Sequence, residues 1–143
     1  VLFNYIEKHG EPLYELINNS IDPDRKLFFV HGGTDVQDRE EVRQLTEEQE
    51  NAVIIASYGT FSTGINIKRL HNIVFASPSK SRIRNLQSIG RVLRKGEGKE
   101  LATLYDIADD IGGRNYTLKH LDERVNIYKG ENFKYEVIRI NLR

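Results

Sequence analysis

Short apolar runs separated by helical stretches place the strongest constraint on the fold of this chain. Two of these runs, "NAVIIAS" (51–57) and "NIVFAS" (72–77), are almost continuously apolar. Such runs are typical of parallel strands that are buried on both faces. Because helical stretches alternate with the runs, the sequence predicts an α/β fold with a doubly wound, mostly parallel sheet.

The predicted elements follow one another from end to end of the chain. Strands are predicted at 1–6, 26–31, 51–57, 72–77, 100–109 and 133–142, and helices at 11–18, 36–50, 79–95 and 116–128, with Thr34 or Asp35 as N-cap of the second helix. The length of 143 residues predicts a single domain. The chain lacks methionine and opens directly on the apolar run "VLFNYI", so we expect it to be part of a longer protein.

Composition excludes several classes of site. The chain has no cysteine, and its four histidines show no metal-ligand spacing, so no metal site is predicted. No apolar run approaches the roughly 18 residues that span a bilayer, so no membrane partner is expected.

The net charge is zero, but residues 80–99 carry seven basic side chains against the single acid Glu97. This favours a localised anion site over a general polycation, with a solvated helix face as the alternative. Within the predicted helix 79–95, Gln87, Arg91 and Arg94 share an arc roughly 60° wide beside the apolar side. Two guanidinium groups one turn apart could bind a phosphate, although ion pairs with the acidic helix 36–50 would also explain them.

Three polar loops are predicted after strands, at "HGGTD" (31–35), "SYGTFSTGIN" (57–66) and "SPSKS" (77–81), and the first two contain glycine. Ligands of parallel sheets bind beyond the carboxyl ends of the strands. Free amides and hydroxyls in such loops suit a sugar-phosphate backbone. Taken alone, "HGGTD" could also be a tight turn, and "SYGTFSTGIN" could be a hydrophilic loop with ST-turns.

Four segments in order carry a family resemblance. "QSIGRVLR" (87–94) resembles motif VI of superfamily 2 helicases, "VIIASYGTFSTGINI" (53–67) resembles motif V, and "FVHGG…REEV" and "VLFNYIEKHGEPL" resemble the region of motif IV. The chain is therefore similar, over nearly its whole length, to the second RecA-like domain of these helicases. The segments "ASYGTFSTGI", "QSIGRVLRK" and "DIADDI" resemble phage recombination and repair helicases of the UvsW type.

The resemblance implies roles for individual residues. Arg91 and Arg94 would reach the γ-phosphate of ATP, with Arg94 the arginine finger, and Gln87 would orient the nucleotide or the attacking water. Gly64 and Asn66 would lie near the nucleotide, and Gly90 would let the motif VI helix pack close to the cleft. The residues expected to contact DNA are Ser57, Thr60, Gly32, Gly33, Arg82 and Arg84.

The chain has no G-x-x-x-x-G-K-[ST] and no Asp-Glu pair after a strand. ATP and Mg²⁺ would accordingly be held mainly by an N-terminal RecA-like domain of the same protein, and this domain alone is expected to be inactive. The expected function is ATP-dependent helicase or translocase activity on single-stranded or branched DNA, in recombination or repair, in the cytoplasm of an infected bacterium. A duplex translocase of the restriction or remodelling type, and a non-motor doubly wound domain that binds a small anion, are the alternatives.

Overall fold

A five-stranded parallel sheet organises the first part of the structure. The computed structural model describes residues 1–64, 67, 70–76, 102–112 and 116–142. They fall into two units, Val1–Ile107 and Ala108–Arg143. The sheet belongs to the first unit, and the helix predicted at 79–95 lies outside the described residues.

All the described strand pairs are parallel, which confirms the predicted fold class. The strands are β1 (Leu2–Phe3), β2 (Leu27–Val30), β3 (Val53–Ser57), β4 (Asn72–Phe75) and β5 (Thr103–Asp106). They are ordered β2-β3-β1-β4-β5 in the sheet. Each lies within a run predicted to be a strand and is shorter than that run.

Apolar side chains of β1, β2, β3 and β4 form the core of this unit. The buried residues there include Leu2, Phe3, Val30, Ile55, Ile73 and Phe75. Phe29 of β2 stacks on Phe3 with 5.5 Å between ring centroids, and Tyr14 lies against Phe29 at the same distance. The continuous apolar runs are thus explained by burial, which is the largest favourable term in folding.

The described helices are α1 (Glu11–Ser20), α2 (Val36–Glu48), α3 (Tyr58–Gly64) and α4 (Tyr116–Gly130). Pro12 lies in the first turn of α1, where its missing N–H costs no hydrogen bond. Asp35 is the N-cap of α2, because its side chain accepts a hydrogen bond of 2.8 Å from the backbone N–H of Gln37. None of the helices in the described residues is long and apolar enough to cross a membrane.

The first predicted strand is shorter than expected. After β1 the chain turns into a π-helical segment, Ile6–Gly10, in which the carbonyl of Tyr5 accepts from the backbone N–H groups of His9 and Gly10. Gly10 is buried against the ring of Phe3, and a Cβ there would lie 2.5 Å from Phe3 Cε2. Since Phe3 is fully buried, its ring has little room to move.

Gly10→Ala is therefore expected to lower the free energy of unfolding by about 1–3 kcal/mol, as overpacked cores do. Gly130→Ala is the matched control, because a Cβ at Gly130 would meet no atom within 4 Å. The control should be neutral or stabilise the protein by up to about 1 kcal/mol, since Ala is the better helix former. Urea unfolding of both variants measures the difference, and equal stabilities for the two would show that the Phe3 ring yields freely.

The strand predicted at 133–142 is wrong. In the second unit α4 ends in a Schellman motif: Asn132 takes a left-handed φ of 57°, Phe133 N–H donates to Tyr128 O, and Asn132 N–H donates to Lys129 O. The Phe133 ring contacts Tyr128, which completes the motif. Residues 134–142 continue exposed, and pair with no strand of the described chain. Alternating polarity is compatible with a strand, but a strand also needs a hydrogen-bonding neighbour.

Candidate functional site

Two predicted loops leave the sheet side by side. Val30, the last residue of β2, is in register with Ala56 of β3, so His31 and Ser57 follow at the same carboxyl edge. β1 lies on the other side of β3, with Phe3 in register with Ser57. The sheet order therefore places "HGGTD" next to the start of α3.

The backbone of "HGGTD" is held by its own side chains. Gly33 N–H donates to His31 Nδ1 at 3.0 Å, and His31 N–H donates to Thr34 Oγ1 at 3.0 Å. Thr34 N–H donates to His31 O at 2.9 Å. Gly32 is exposed, and its N–H makes no hydrogen bond with a described residue. Of the two predicted amide donors, the exposed Gly32 N–H can reach a ligand in this conformation, whereas the Gly33 N–H already donates to His31 Nδ1.

The segment predicted to be a loop after β3 begins as a helix instead, because Tyr58–Gly64 forms α3. Tyr58 is buried and its ring lies 5.6 Å from that of Phe75 in β4, so a core contact holds the helix start against the sheet. Glycine, serine and threonine are weak helix formers, and here tertiary packing overrides their low helix propensity.

Ser57 and Thr60 form a hydroxyl pair at this edge. Ser57 Oγ lies 2.8 Å from Thr60 Oγ1, and Thr60 N–H donates to Ser57 Oγ at 3.4 Å. Thr60 is only 4% exposed, whereas Ser57 is half-buried. If Ser57 accepts from both groups of Thr60, its own O–H hydrogen remains available to a ligand.

Acidic side chains outnumber basic ones along α2, and ion pairs partly neutralise the basic ones. Arg43 forms ion pairs with Glu40 at 2.5 Å and Glu47 at 3.0 Å. The hydrogen bond from Arg43 holds the pKa of the Glu40 carboxyl below its usual value and raises the pKa of Arg43. A polyanion would therefore find little attraction along this helix.

The predicted site residues divide into three sets. Gly32, Gly33, Ser57 and Thr60 come together at the carboxyl edge of β2 and β3. Gly64 is the last residue of α3. The others lie outside the described residues: Asn66, Arg82, Arg84, Gln87, Gly90, Arg91 and Arg94. Their roles stay predictions, and so does any fit of this chain to ATP.

The described residues hold no cluster of His, Asp or Glu that could bind a metal ion. His31 is the residue of this edge that sequence reasoning missed. The sequence carries no clear signal for it, because the side chains that commonly accept from an N–H group two residues later are those of Asn, Asp, Ser and Thr.

The family model for the helicase conserved C-terminal domain matches residues 1–96, which include both loops of the carboxyl edge. This chain belongs to that helicase family. It is also 39% identical, over 155 aligned positions, to "ATP-dependent DNA helicase uvsW" of Enterobacteria phage T4. The alignment covers 99% of this chain and 30% of the phage T4 protein. No solved structure gives a significant match.

Proposed function

We propose that this helicase C-terminal domain is the second motor domain of an ATP-dependent DNA helicase, and that the carboxyl edge of β2 and β3 forms part of its DNA track. Family membership and the printed name of the phage T4 relative support the proposal. The observation that carries the DNA track is the Val30–Ala56 register, which brings the Gly32 amide and the Ser57 hydroxyl to one edge.

Both donors are neutral and carry no base-reading groups, which suits contact with a phosphate backbone. Ser57 contacts a phosphate through its O–H, and Thr60 supports it by holding Ser57 Oγ. Gly32 contributes its backbone N–H, while Gly33 belongs to the same turn. Arg82 and Arg84 add contacts to DNA.

The motif VI residues complete the proposal. Arg91 and Arg94 act on the γ-phosphate, with Gln87 orienting the nucleotide or water, and Gly64, Asn66 and Gly90 line the nucleotide side. ATP and Mg²⁺ are held mainly by an N-terminal RecA-like domain of the same protein. The substrate is single-stranded or branched DNA, handled during recombination or repair in the cytoplasm of an infected host.

Ser57→Ala in the full-length parent is expected to weaken binding to single-stranded DNA by about tenfold, the value of one hydrogen bond to a charged group. The slope of log K against log salt should not change, because a neutral hydroxyl releases no counterions. Fluorescence anisotropy with a labelled oligonucleotide at several salt concentrations measures both quantities.

Ser20→Ala is the matched control. Ser20 is exposed at the end of α1, and its hydroxyl donates to Leu16 O at 2.8 Å, so its loss should leave DNA affinity unchanged. Thermal unfolding checks that both variants remain folded. Equal affinities for Ser57→Ala and Ser20→Ala would remove Ser57 from the DNA track.

A further inference from the structure

We infer that His31 is a positioning residue of the DNA track and couples DNA binding to its own protonation; this rests on the function proposed above. In its neutral form His31 occupies the Gly33 amide and leaves the Gly32 amide open. In its protonated form it releases the Gly33 amide and adds a positive charge at the same edge.

The Gly33 hydrogen bond identifies the form of the ring. An N–H group can donate only to an unprotonated ring nitrogen, so Nδ1 is the acceptor and the ring hydrogen is on Nε2. A protonated imidazole has donors on both nitrogens. Protonation therefore turns the contact between Gly33 N–H and Nδ1 into one between two donors, and that hydrogen bond is lost.

The two glycines of the turn differ in their surroundings, because the His31 ring lies against Gly33 and not against Gly32. A Cβ at position 33 would lie 3.0 Å from His31 Cε1 and 3.2 Å from Nδ1, whereas a Cβ at position 32 would meet no atom within 4 Å. The absence of a side chain at Gly33 thus lets the imidazole approach the backbone. The ring also lies against that of Phe29, with 5.5 Å between centroids, and the backbone N–H of His31 donates to Thr34 Oγ1.

The described groups that contact His31 are uncharged. Its described contacts are Phe29, Gly33 and Thr34, none of which titrates. On the neighbouring β3 and α3 the facing groups are the neutral hydroxyls of Ser57 and Thr60.

Two acids belong to the start of α2. The carboxylate of Asp35 accepts from Gln37 N–H, and Asp38 is exposed in the first turn. On α1 the nearest aromatic group is Tyr14, which lies against Phe29. A bound phosphate would thus add a negative charge beside His31 and would favour its protonated form.

The expected result is that single-stranded DNA binds the full-length parent more tightly at pH 6 than at pH 8, and that His31→Asn loses part of this difference. An asparagine keeps an acceptor for Gly33 N–H but does not titrate. At pH 8 its affinity should stay within about twofold of wild type, whereas at pH 6 it should be weaker by about fivefold, the value of one ordinary hydrogen bond. Anisotropy with a labelled oligonucleotide measures all four constants.

His71→Asn is the matched control, since His71 is exposed and lies at the amino end of β4, away from the carboxyl ends of the strands. It should retain the whole pH dependence. His31→Ala, which removes both the acceptor and the titrating group, should lose the pH dependence as His31→Asn does, and thermal unfolding verifies that it is folded.

The inference is overturned if His31→Asn shows the same pH dependence as wild type. If Ser57→Ala still weakens binding in that case, the DNA track stands and the coupling alone fails. If wild type binds no DNA at either pH, the proposed function and the inference fail together.

Discussion

Arg94→Ala in the full-length parent is expected to lower kcat of DNA-stimulated ATP hydrolysis by on the order of 10³-fold or more, the range known for arginine fingers. Negative charge builds on the transferring phosphoryl oxygens, and a desolvated guanidinium stabilises that charge only in the transition state. ATP affinity should change little, so the loss appears in kcat and not in nucleotide binding.

Lys95→Ala is the control, because Lys95 is the next cation in the same basic segment and lies outside the Q-x-x-G-R-x-x-R pattern. Its turnover should remain close to wild type. The isolated 143-residue chain, which has no Walker lysine, should give negligible turnover in the same assay. Near-normal hydrolysis by Arg94→Ala would mean that the arginines of motif VI are structural here.

The isolated 143-residue polypeptide, in which Val1 carries a free amino group, is expected to gain stability as the pH rises from about 5 to 8. The Val1 amine is buried beside β3 and donates to Ile54 O at 2.7 Å. Burial lowers its pKa from 8.0 to about 5. Between these values the unfolded chain binds more protons than the folded chain, so the free energy of unfolding increases with pH. The full change is on the order of 4 kcal/mol, at 1.36 kcal/mol for each pKa unit.

Urea unfolding at several pH values measures this dependence, and the same chain acetylated at Val1 is the control. Acetylation removes the titrating group and keeps an N–H donor for Ile54 O. The contribution of Glu40, whose pKa is lowered by Arg43, is lost only at more acidic pH and is common to both forms. Equal pH slopes for free and acetylated chains would show that water reaches the buried amine.

Elements with strong local signals could be predicted from the sequence. The run "NAVIIAS" is apolar because β3 lies between β1 and β2, and Asp35 caps α2 as its position before the helix indicated. Predictions failed where one residue pattern is compatible with two kinds of secondary structure. Residues 133–142 alternate like a strand but have no strand partner in the described chain, and "SYGTF" reads as a loop but starts α3 because Tyr58 packs on Phe75.

The sequence by itself determined the α/β class, the helicase family and the residue types expected at the site. These depend on side-chain chemistry and on patterns within a few residues. The tertiary structure alone decided that Ser57 and "HGGTD" share one edge and that His31 occupies the Gly33 amide. Strand order depends on pairings between distant residues, and hydrogen bonds depend on distances of a few tenths of an ångström, neither of which a linear pattern specifies.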